Sequence, residues 1–124
     1  MLTTKQIENG KVKTPRLQER HHEHNDCIRI AYEWLDAQKK TKQSTSKTLD
    51  LKHIIEEWGG RYVSSSDVAV AAWLHPDIEG NYPYYNISAR LTLPVESRLE
   101  GIGEAYKHNC SPTRIDQSIY KVTE

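Results

Sequence analysis

Phenylalanine is absent from this 124-residue chain, methionine occurs once, and cysteine occurs only twice, at Cys27 and Cys110. Two thiols so far apart do not make a disulfide framework. The first residues, Met1 to Lys5, lack the apolar segment of a leader peptide, so the cytoplasm is the expected compartment and the thiols are expected to stay reduced. No run approaches the roughly twenty apolar residues that a membrane span needs. A phosphate-cradling lysine loop is missing too. Gly101-Ile102-Gly103 is a lone G-x-G, with neither a strand before it nor a third glycine after it. The pI of about 7.0 lacks the strongly basic footprint of a dedicated nucleic-acid binder.

The chain does have seven tyrosines and three tryptophans, aromatic side chains with polar tips that suit interfaces and half-buried surfaces. Hydrophobic residues make up 36% and charged residues 27%. That is polar for a globular protein but richer in apolar residues than a disordered chain. The length suits one domain with one modest core. Charge is uneven: residues 1–52 carry eleven Lys/Arg against seven Asp/Glu, and residues 53–124 carry six against ten. The pattern fits a basic face on a more acidic body, or plain solvated surface.

Residues 1–13 hold few apolar side chains and read as a flexible or loosely docked arm. Thr14-Pro15 can start a long helix, with Leu17, His21, His24, Ile28, Ala31 and Leu35 on one face. Asn25 or Asp26 could instead cap a shorter helix. If the protein dimerises, the Leu17–Leu35 face is the expected seam. The Ser/Thr/Lys-rich residues 40–48 form a linker. A helix carrying Leu51, Ile54, Ile55 and Trp58 follows and ends at Gly59-Gly60. Serine caps then lead into a third helix ending at Pro76. Tyr85, Ile87, Ala89, Leu91 and Leu93 alternate with polar residues as a half-buried strand. A last helix from Pro94 through Tyr106 and a C-terminal tail over residues 111–124 complete the globular domain of residues 14–110.

Helix, tight turn, helix and strand is the order of a winged helix-turn-helix. The expected fold is therefore α+β, mainly helical, with a winged-helix-like core. In that reading the protein is a non-enzymatic regulatory nucleic-acid binder. Lys40, Lys42, Lys47, Arg61 and Arg90 meet phosphates, and Ser65 and Ser66 lie near base edges. The helix after the turn nevertheless lacks Lys, Arg, Asn and Gln, the best base readers. The alternative is a small protein-interaction module, an inhibitor or accessory protein of the kind that phages and mobile elements carry. It would bind its partner through Tyr82, Tyr84 and Tyr85. Trp34, Trp58 and Trp73 lie on apolar helical stretches and are expected in the core.

His21, His24 and Cys27, spaced three apart, are the one set with any metal-binding look, with His108 and Cys110 as distant additions. None forms a paired zinc motif, and a helix edge with a small core cysteine accounts for them equally well. No cofactor and no membrane partner are expected.

Overall fold

The computed structural model describes residues 1–14, 22–45 and 49–124. Four α-helices dominate: α1 (Thr4–Lys13), α2 (Asn25–Ala37), α3 (Leu51–Gly59) and α4 (Ser65–Leu74). Short strands follow: β1 (Gly80–Asn81), β2 (Tyr84–Tyr85), β3 (Leu91–Leu93) and β4 (Tyr120–Thr123). The mainly helical α+β class expected from the sequence is present.

Residues 1–13 are not a loose arm. Thr3 and Gln6 form a reciprocal capping box at the start of α1, and Ile7 is fully buried. A Cβ at Gly10 would lie 3.0 Å from Val70 Cγ1, so glycine lets α1 press directly onto α4. The helix expected from Thr14-Pro15 begins instead at Asn25, and the N-cap is His24, whose Nδ1 accepts from the Asp26 amide at 2.9 Å. Pro15, Leu17 and His21, as well as Lys47 and Thr48, lie outside the described residues. At the other end of α2, the Lys40 ammonium donates to the Leu35 and Asp36 carbonyls at 3.0 and 2.7 Å, as suits a helix C-terminus.

α4 is the centre of the domain, packed by α1, α2 and α3. Its residues Ser65 to Ala72 are all buried. Small side chains at Ala69, Ala71 and Ala72 permit that close approach, and an apolar surface on every side suits a helix packed by several neighbours. α2 contributes Cys27, Ile28, Ile30, Ala31, Trp34 and Leu35 to the same core. Ile28, Ala31 and Leu35 are therefore consumed inside one chain, which removes them from the expected dimer seam.

The alternating segment from Tyr85 to Leu93 is two short strands rather than one, because Asn86 interrupts the pattern. Its Oδ1 accepts from the Glu79 amide at 2.6 Å, while Nδ2 donates to the Thr41 and Asp77 carbonyls. A polar side chain is thereby buried where alternation would place it in water, and the chain turns. β1 and β2 form an antiparallel hairpin, with Gly80 opposite Tyr85. β3 pairs in parallel with β4, so the C-terminal segment is docked strand and not tail. On the other edge of β3, buried Gln38 imitates a strand: the Thr92 amide donates to its Oε1 at 2.9 Å and its Nε2 donates to the Thr92 carbonyl at 2.8 Å. The helix expected after Pro94 shrinks to a 3-10 turn at Glu96–Leu99, in line with the glycines at 101 and 103.

Arg98 fastens the C-terminal strand, donating to Glu124 through Nε at 2.7 and 2.9 Å and reaching Glu33 and Asp36 as well.

The Gln38→Leu variant strands a buried amide and carbonyl and is expected to lose about 2 kcal/mol of unfolding free energy in urea titration. The Arg98 hydrogen bonds hold the Glu124 carboxyl below its ordinary value. Its contribution is therefore complete above the usual glutamate value of about 4.3 and is lost as pH falls through the lower folded one. Hydrogen exchange at Val122 and Thr123 is expected to accelerate selectively over that acid range.

Candidate functional site

Of the residues expected to meet nucleic acid, Ser65, Ser66 and Arg61 are withdrawn from solvent. Ser65 and Ser66 are 9% and 2% exposed, sealed in the first turn of the central helix. Arg61 is 4% exposed and committed to ion pairs with Glu23 at 2.9 Å and Glu104 at 3.2 Å. Lys40 is half buried as the cap of α2, and burial lowers its pKa. Lys42 and Arg90 remain exposed.

At its N-terminus α4 is held by Asp67, which is fully buried and forms a capping box with Ser64. The second Asp67 oxygen lies 2.6 Å from His22 Nδ1. Burial raises the Asp67 pKa, and the His22 hydrogen bond works in the opposite direction. This pair ties the residues before α2 to the head of α4.

Among the metal candidates, His24 spends its Nδ1 on the helix cap, and Cys27 is fully buried. Burial, reinforced by the Asp67 charge, pushes the Cys27 thiol up to about 12, so it stays protonated at neutral pH. His108 accepts from the Tyr62 amide at 3.1 Å, and Cys110 is exposed. Among the described residues, no three His, Cys, Asp or Glu side chains are grouped to hold a metal ion.

The structure does bring residues together at the C-terminal end of α4. There the chain leaves the helix at His75, whose Nε2 lies 2.8 Å from Asp36 Oδ1 and whose Nδ1 accepts from the Asp77 amide. The tilted Tyr32 ring lies against the His75 imidazole at 5.1 Å. With this corner fixed and Asn86 anchoring the loop, the β1–β2 hairpin stands beside α4. A groove of about 400 Å3 opens between them. Ala69, Ala72, Ile78 and Tyr85 form its apolar lining, and Trp73, Glu79 and Tyr82 also face it. Tyr82 meets Tyr85 edge to face at 6.3 Å, and burial raises the Tyr85 pKa. Gly80 has φ +109 and a Cβ there would strike the Tyr84 carbonyl, so the hairpin needs glycine at this point.

Trp73 is 50% exposed and Tyr84 42% exposed. The expectation that all three tryptophans belong to the core therefore holds for Trp34 and Trp58 and fails for Trp73. The hairpin orients α4 so that its last turn reaches the surface, and Trp73 lies on that turn. Of the tyrosines expected to meet a partner, Tyr84 is exposed, Tyr82 is half buried in the groove wall and Tyr85 is part of the floor.

Comparison with protein-family models, with curated proteins and with solved structures returns no match. Among the described residues, no helix is long and apolar enough to cross a membrane.

The different placements of the two rings have a measurable consequence. Trp73→Ala is expected to change unfolding free energy by less than about 1 kcal/mol, whereas Tyr85→Ala, which empties the groove floor, is expected to cost about 3 kcal/mol. Chemical denaturation of the two variants checks this.

Proposed function

We propose that the protein is a non-enzymatic interaction module that docks a segment of a partner protein into the groove between α4 and the β1–β2 hairpin. The half-exposed Trp73 at the groove carries this reading. A helix buried over eight consecutive residues ends in an indole left to solvent beside an apolar concavity. An exposed large aromatic over a pocket is the usual make-up of a binding hot spot. Tyr82 and Tyr84 add aromatic area with few rotatable bonds, which lowers the entropy lost on docking. The rigid anchoring by His75 and Asn86 further reduces that loss.

The nucleic-acid reading has weaker support. α3, the Gly59-Gly60 turn and α4 keep the order of a helix-turn-helix, but the first turn of α4, which would meet base edges, is buried at Ser65 and Ser66. Among the described members of the expected set, Lys42 and Arg90 are the exposed cations.

A nuclease-treated pull-down with full-length variants tests the proposal. A bound protein is expected to survive nuclease, to be lost by about tenfold or more with Trp73→Ala or Tyr84→Ala, and to ignore Lys42→Ala and Arg90→Ala. Nuclease-sensitive capture that depends on Lys42 and Arg90 would overturn it in favour of nucleic acid.

A further inference from the structure

We infer that the segment accepted by the groove is positively charged, with an arginine or lysine side chain laid along Trp73 and its cation paired with Glu79. This deepens the docking reading above and rests on it. Glu79 lines the groove and is exposed, and its carboxylate makes no hydrogen bond or ion pair among the described residues. Several carboxylates elsewhere are supplied with cations: Asp26 has Arg29, Glu33 and Glu124 have Arg98, and Glu104 has Arg61. An unpaired carboxylate in the same groove as an exposed indole is a point of unmet negative charge.

The chemistry of the groove matches a long cationic side chain in both its parts. The apolar stem of arginine or lysine can lie over Ala69 and Ala72, while its charged end gains from the indole face and from the carboxylate. Arginine is the better fit, since its planar guanidinium stacks on aromatic rings and pairs side-on with carboxylates. A carboxylate at the groove favours encounter with a basic partner over an acidic one.

Labelled peptides of equal length on a Gly-Ser scaffold, bearing arginine, lysine, glutamate or leucine, supply the probes. They are read by fluorescence anisotropy against the intact chain. The arginine peptide is expected to bind about tenfold more tightly than the glutamate peptide, with Trp73 emission changing on binding. Glu79→Gln is expected to remove most of that preference and Glu79→Lys to abolish it. Neither exposed substitution is expected to alter the circular dichroism. Equal binding of the arginine and glutamate peptides, no binding of the arginine peptide, or a preference untouched by Glu79→Lys would overturn the inference. If the peptides showed no charge preference while Trp73→Ala still abolished capture of a protein partner, the docking reading would stand and the cationic one would fall.

Discussion

Ten residues of α4, with valine and alanine on every side and serines at the head, must be surrounded by protein on nearly all faces. The other elements take their positions from this requirement. α1 reaches it through Gly10, α2 lays its apolar stripe along it, and α3 closes the remaining side. Polar groups carried inward are satisfied locally: Asp67 caps the first turn and meets His22, and Ser64 closes the capping box. A buried unpaired carboxylate would be costly, so these contacts make the burial of this helix tolerable. At the other end, His75 and Asp36 decide where α4 stops and in which direction the chain departs.

That departure positions the groove. The hairpin follows the helix by only a few residues, and Asn86 replaces missing backbone partners so that the loop is held as firmly as a strand. The aromatic rim therefore sits on a rigid frame, unlike a free surface loop. Arg61 and Arg98 meanwhile absorb carboxylates from separate parts of the chain, Arg61 taking Glu23 and Glu104 and Arg98 taking Glu33, Asp36 and Glu124. Glu79 keeps its carboxylate unpaired among the described residues, in the groove beside α4. A protein built in this way spends Arg61 and Arg98 on holding segments together.

Much of the fold was legible in the residues. The three-four spacing of Leu51, Ile55 and Trp58 and the glycine stop at Gly59-Gly60 announced α3, with Gly60 at φ +63 as the left-handed terminus. Serine caps and Pro76 bracketed α4. The segment after Pro94 looked helical because its apolar spacing fits a helix, yet its two glycines and the docking of β4 prevail over a weak propensity. Period-two alternation marked residues 85–93 as extended, but it could not reveal that Asn86 turns inward to serve three backbone groups from distant positions.

Local pattern by itself determined α3 and α4, with their caps and stops, and the extended character of the residues that follow. Those outcomes depend on side-chain periodicity, caps and turn residues within a few positions of one another. Only the tertiary arrangement decided that α4 is central, that Ser65, Ser66 and Arg61 are withdrawn from solvent, and that Trp73 is presented at the surface. A helix that is apolar all round contains no record of which side will be left open, because that choice is made by the elements packed against it.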